Sequence, residues 1–315
     1  MNKIPVILDG DPGHDDAIAW VMAASMKELE IKAFTTVAGN QTLDKTTLNA
    51  QKIAALLDLD VPIAKGRAVP LLGTLITAPN FHGESGLDGP PLPEPKRELE
   101  SVYAPELMAR ILKESDEPVV IIATGPTTNV AALLLAYPEL KDKIKCISIM
   151  GGGLRGGNWT SAAEFNVIVD PEALDIVMKS GIPVIMSGLD VTEKALCYPE
   201  EYERIRQIGN PVSDVVAGWF DFFMKHLSSL GWKGATLHDP CAVLTVVHPE
   251  LFTFKEVYVE VELKGQYTRG ATVPDYYGVN NQKPNVKAAV DIDREAFIEM
   301  LVASCAYYSE KEVHV

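Results

Sequence analysis

Short apolar, β-branched runs alternate with helical segments along much of this chain, and that order leaves few ways to fold. VIL at 6–8 precedes a helix expected from about Asp16, where Ile18, Val21, Met22 and Met26 share one face. IKAFTTV at 31–37 leads through AGN into a helix carrying Leu48, Ile53 and Leu56, and VPIA at 61–64 reads as a third strand. PVVIIA at 118–123 precedes TGPTTN and the helical VAALLLA, and KIKCISIM at 143–150 runs into GGG. IPVIMS at 182–187 follows a helix expected to begin at Pro171. Alternation of this kind predicts an α/β fold, Rossmann-like, with a mostly parallel central sheet and helices on both faces.

The C-terminal part changes character. Helices are expected around 199–208, 213–227 and 239–247, the last announced by Asp239 followed by Pro240. KEVYVEVEL at 255–263 alternates strictly, as a half-exposed strand does, and with GQYTRGATV it predicts an antiparallel hairpin at the sheet edge. Residues 71–99 are rich in Pro and Gly, and a long irregular segment inside a compact unit is usually functional. No internal repeat or boundary interrupts the chain, so residues 1–315 are expected to form a single domain.

Charge narrows the partners. Against 28 Lys and Arg stand 43 Asp and Glu, a net charge of −15 that repels nucleic-acid phosphates and anionic membrane surfaces. No apolar run approaches the roughly 20 residues of a membrane helix, and no secretory h-region is visible at the start. Cys146, Cys197, Cys241 and Cys305 are widely spaced without a CxxC pair, as expected of reduced packing thiols in a cytoplasmic protein.

A small molecule or a metal ion fits this chain better, and VILDGDPGHDD at 6–16 points to where. Asp9, Asp11, Asp15 and Asp16 follow directly on the first strand, and no Lys or Arg occurs between Lys3 and Lys27. In an open α/β sheet, ligands bind beyond the carboxyl ends of the strands, where Asp9 and Asp11 are expected. One aspartate can cap the helix. Four such groups raise one another's pKa values unless a positive charge sits among them, so the cluster suits a hard divalent cation, either Ca²⁺ or Mg²⁺.

DGDPGHDDAIA resembles the N-terminal signature of the inosine-uridine preferring nucleoside hydrolases. AGN at 38–40, TGPTTN at 124–129, AEFNVIVDPEA at 163–173 and LHDP at 237–240 follow in family order, and RGATVPD at 269–275 is a weaker copy of a late motif. The resemblance implies one Ca²⁺ held by Asp11, Asp16, the backbone carbonyl of Thr124, and Asp239, completed by a water and two ribose hydroxyls. It implies Asp15 as general base, and Asn40, Glu164 and Asn166 as partners of the ribose hydroxyls. Asn158, Phe165 and the Met150 backbone make further substrate contacts on this reading, and Asp15 and Asp239 also touch the substrate. His238 matches a candidate acid for the leaving base, with His82 at the pocket lip second. His14 occupies a position the family fills variably and reads as structural. Asp9 is expected to shape the loop by accepting hydrogen bonds from backbone or ligand.

The implied reaction is hydrolysis of the N-glycosidic bond of a purine or pyrimidine ribonucleoside to ribose and free base, in nucleoside salvage. An oxocarbenium-like transition state needs a negative environment and an activated water, which the carboxylates supply. Family members assemble as homotetramers or dimers. Two alternatives stand beside this reading. A haloacid-dehalogenase-like, Mg²⁺-dependent phosphatase also starts with a strand and DxD, but requires DxDxT where this chain has Pro12-Gly13. A non-catalytic nucleoside-binding module would have no use for Asp15. Base preference is assigned to the rim, residues 76–90 and 221–239, where Phe222, Phe223 and Trp232 are candidate stacking partners.

Overall fold

A computed structural model describes residues 3–229 and 231–310; Leu230 of the rim stretch, and residues 1–2 and 311–315 of the expected domain, lie outside the described residues. The strands are β1 Ile4–Gly10, β2 Leu29–Thr36, β3 Ile63–Lys65, β4 Val119–Ala123, β5 Ile144–Met150, β6 Val184–Ser187, β7 Leu196–Cys197, β8 Ala235–Thr236, β9 Phe252–Val257, β10 Val259–Val261, β11 Thr272–Pro274 and β12 Val286–Ile292. Eight of them form one sheet in the order β3-β2-β1-β4-β5-β6-β12-β9, parallel except for the antiparallel β12–β9 pair at one edge. The predicted α/β architecture is therefore present.

Period-two alternation sorts the strand residues between two cores. Val6 and Leu8 of β1 and Val120 and Ile122 of β4 face one core, roofed by helices His14–Ser25, Pro211–Ser229, His238–Val247 and Arg294–Ala306. Ile7, Val119 and Ile121 face the other, against helices Ala104–Glu114, Thr128–Ala136 and Pro171–Met178. Trp20, fully buried on the first helix, lies with its ring centroid 4.2 Å from that of Phe34 on β2.

The chain runs from β1 outward to β3 and then returns to β4 on the other side of β1. Connections diverge at this point, and the crevice at the carboxyl ends of β1 and β4 is where such sheets bind ligands. The DGDPG loop leaves β1 there and TGPTTN leaves β4.

Local departures from the sequence reading have physical reasons. The first helix begins at His14 rather than near Asp16, with Gly13 as N-cap and the Asp16 carboxylate accepting the Gly13 N–H at 3.0 Å. Leu48 is 43% exposed, so it lies off the apolar face that carries Ile53 and Leu56. KEVYVEVEL breaks at Tyr258. Its first half pairs with β12 inside the main sheet, and only Val259–Val261 pairs with Thr272–Pro274, as a separate two-stranded ladder. The hairpin exists, but it is not the sheet edge. Residues 71–99 are irregular apart from the helix Pro79–His82, and the four cysteines are free. Among the described residues no helix is long and apolar enough to cross a membrane.

Candidate active site

A cavity of about 300 Å³ opens over the carboxyl ends of β1, β4 and β5. Asp15, Asn40, His82, Thr124, Met150, Asn158, Glu164, Phe165, Asn166, His238 and Asp239 all line it. Asp11 and Asp16 lie beneath its floor, both fully buried. Segments from across the chain therefore converge on one place.

The floor is a carboxylate cluster. Ligand atoms of Asp15, Asp16 and Asp239 lie within 4.8 Å of one another. Asp11 is not in that closest group, and Asp15 takes its place, yet Asp11 feels the charge of Asp16 and its own charge is felt at Asp239. Burial and the neighbouring Asp16 push Asp15 up to about 7. Asp11 is raised by burial and by Asp16, and Asp239 by burial and by the charges of Asp15, Asp16 and Asp11. A buried ion without a partner costs several kcal/mol, and among the described residues no Lys or Arg lines this pocket. Only protons or a bound cation can balance such a floor.

Its geometry favours the cation. Asp11 Oδ2 accepts the Asn40 N–H at 2.6 Å, while Asp11 Oδ1 is buried without a hydrogen-bond partner among the described residues. Gly39 and Gly125 pack against the same carboxylate so closely that a Cβ at either would fall on its oxygens. Asp16 is held by Thr124 Oγ1 at 2.6 Å, by Asn40 Nδ2 at 3.2 Å and by the Gly13 amide. The Thr124 carbonyl accepts from Asn166 Nδ2 at 2.8 Å and keeps a second lone pair. An all-oxygen donor set with an orphaned carboxylate oxygen fits a hard divalent cation.

Around the floor, polar groups are fixed before any ligand arrives. Glu164 caps the helix Phe165–Val169, accepting from the amides of Asn166, Val167 and Gly152, and burial pushes it up to about 7. Asn158 Oδ1 accepts the Phe165 N–H at 3.0 Å. Asn166 Nδ2 also reaches the Met150 carbonyl at 3.2 Å. His238 Nδ1 lies 2.8 Å from Thr192 Oγ1, and burial pushes the ring down to about 4. His82 is held well below its ordinary value by burial and by His14 and His238.

His14 is buried, with Nε2 2.7 Å from the Asp88 carbonyl and its ring stacked on Phe222 and Phe223. This agrees with a packing role. Asp9 Oδ1 accepts from the side chains Thr35 Oγ1 at 2.6 Å and Asn129 Nδ2 at 2.8 Å, and its Oδ2 is buried without a hydrogen-bond partner among the described residues. At the rim, Phe223 and Trp232 reach the cavity and Phe222 does not. Phe81, Leu227 and Thr236 join them from the expected stretches. Trp159, whose ring centroid is 4.9 Å from that of Phe165, and Glu193 lie outside those stretches and carried no local signal.

This fold and floor define a nucleoside hydrolase. The family model for the inosine-uridine preferring nucleoside hydrolases matches residues 6–299, and the chain belongs to that family and is a ribonucleoside hydrolase. Among its relatives, the pyrimidine-specific ribonucleoside hydrolase RihA of Escherichia coli O1:K1 is 53% identical over 309 residues, covering 97% of this chain and 99% of that one. RihA of Citrobacter koseri is 54% identical over the same length, with the same coverage. Among solved structures, a purine-preferring ribonucleoside hydrolase from Gardnerella vaginalis superposes with a TM-score of 0.90 at 32% identity, covering 96% of this chain and 98% of that one. Neither the phosphatase nor the non-catalytic alternative survives these relationships.

Proposed function

We propose that the enzyme, working as one domain, cleaves the N-glycosidic bond of pyrimidine ribonucleosides to ribose and free base, with Ca²⁺ held by Asp11, Asp16, the Thr124 carbonyl and Asp239. The observation that carries this reading is the buried carboxylate floor without a cationic partner, including the orphaned Asp11 Oδ1. When bound, the ion would supply oxygen coordination that orients the ribose hydroxyls and acidifies a water at the floor.

This chain's own residues do the rest. Asp15 lines the cavity beside Asp16 and Asp239 and takes the proton of the attacking water. Asn40, Glu164 and Asn166 hold ribose hydroxyls, and Asn158, Phe165 and the Met150 backbone complete the sugar side. The carboxylates stabilise the positive charge that develops on the sugar. His238, neutral at pH 7, meets the leaving base as a hydrogen-bond donor, with His82 beside it.

Pyrimidine preference is supported by the pyrimidine-specific 53%-identical relative, set against the purine-preferring enzyme at 32% identity. The cytoplasmic setting, the salvage role and assembly as a homotetramer or dimer rest on the family resemblance. A panel of uridine, cytidine, inosine and adenosine tests the substrate reading. We expect kcat/KM for the pyrimidines to exceed that for the purines by about a hundredfold, a gap within reach of pocket discrimination. α-Ribose is expected as the first anomer by ¹H NMR, since water attacks opposite the base. Equal rates on purines would overturn the preference, and β-ribose as first product would overturn direct water attack.

A further inference from the structure

Thr192 ends the helix Leu189–Thr192, and its Oγ1 lies 2.8 Å from Nδ1 of His238, 46 residues further along. Backbone pairing enforces the meeting. Leu196 of β7 pairs with Thr236 of β8, and the Leu237 N–H donates to the Ala195 carbonyl at 2.9 Å. The chain just before His238 is thereby pinned to the chain just after Thr192.

The direction of that hydrogen bond follows from satisfiability. Thr192 is fully buried, and its hydroxyl carries one proton that must find an acceptor. Among the described residues, His238 Nδ1 is the single partner of that hydroxyl. Were His238 to donate from Nδ1, the threonine proton would be left without an acceptor among the described residues in a buried setting, a larger loss than the bond itself is worth. The hydroxyl therefore donates and Nδ1 accepts. A neutral imidazole whose Nδ1 bears the lone pair carries its proton on Nε2. His238 lines the substrate cavity, and its Nε2 makes no hydrogen bond to the described residues.

We propose that Thr192 is a positioning residue whose hydroxyl fixes His238 as the Nε2–H tautomer, so that an N–H donor faces the leaving base. This rests on reading His238 as the group that meets the base. As the glycosidic bond breaks, its electron pair goes to the base, and the atom that gathers negative charge needs a donor. The opposite tautomer would offer it a lone pair.

The test compares Thr192→Val, Thr192→Ser and His238→Ala on uridine and on p-nitrophenyl β-D-ribofuranoside, whose leaving group needs no donor. For Thr192→Val we expect kcat on uridine to fall about tenfold or more, KM to change little, and turnover of the nitrophenyl riboside to fall by less than about twofold. Thr192→Ser should restore most of the loss on uridine. In ¹⁵N-histidine-labelled wild-type enzyme, His238 should show a protonated Nε2 and a lone-pair Nδ1. Wild-type kcat in Thr192→Val, equal losses on both substrates, or an Nδ1–H signal in the wild type would each overturn the proposal. If His238→Ala loses equally on both substrates, the reading of His238 fails instead. The wild-type tautomer and the serine variant decide Thr192 even where the valine variant does not fold.

Discussion

Within VILDGDPGHDD, four aspartates of one chemistry divide by environment. Asp11 keeps an orphaned oxygen beneath the cavity, Asp16 is tied by Thr124, Asn40 and Gly13, Asp15 reaches the cavity, and Asp9 is turned to Thr35 and Asn129. Asp15→Asn keeps the shape and removes the proposed base. It should lower kcat on uridine by about a thousandfold or more with a melting temperature within a few degrees of wild type. Asp11→Ala should abolish ribose release at ordinary cation levels. Near-wild-type turnover in either purified variant would remove that residue from the proposed machinery. The motif made the cluster legible at this scale because the carboxylates are adjacent in sequence. Thr192 was not legible, because its partner is 46 residues away and a lone threonine carries no signal.

At the scale of elements, the loops leaving β1 and β4 form the site because glycines let them approach. Gly125 is present to make room for the Asp11 carboxylate, which a Cβ there would strike. Gly125→Ala should therefore raise the cation concentration for half-maximal activity by about tenfold or more, with the far-ultraviolet circular dichroism unchanged. An unaltered cation requirement would show that the carboxylate is not held for the metal. Strands read from periodicity fell close to their observed places, since β1, β4 and β5 are short apolar runs bounded by turn residues. The break at Tyr258 was not readable. Alternation continues through Val259 and Val261, and what splits the strand is the arrival of β12 beside its first half, a pairing with residues some 30 positions on.

For the whole molecule, a net charge of −15 with a buried acidic floor makes stability depend on the cation and on pH together. Asp9, Asp15 and Glu164 are raised to about 7, so the metal-free fold prefers them protonated. Their contribution is fully present below about pH 4 and is lost as pH rises toward 7. On the proposed function, a cation would reverse this by binding the ionised carboxylates. The rise in melting temperature on adding saturating Ca²⁺ to chelator-treated enzyme should therefore be larger at pH 7.5 than at pH 5.0, by about 5 °C or more. An increment independent of pH would contradict the assigned ligands. Such coupling was invisible in the composition, because it depends on which of the 43 acidic residues are buried together.

The most direct test of the central claim is ribose release from uridine, followed as reducing sugar, before and after removal of metal with a chelator and after return of Ca²⁺. The account predicts turnover that vanishes on chelation and returns with calcium. Full activity in enzyme shown by elemental analysis to be metal-free would contradict it.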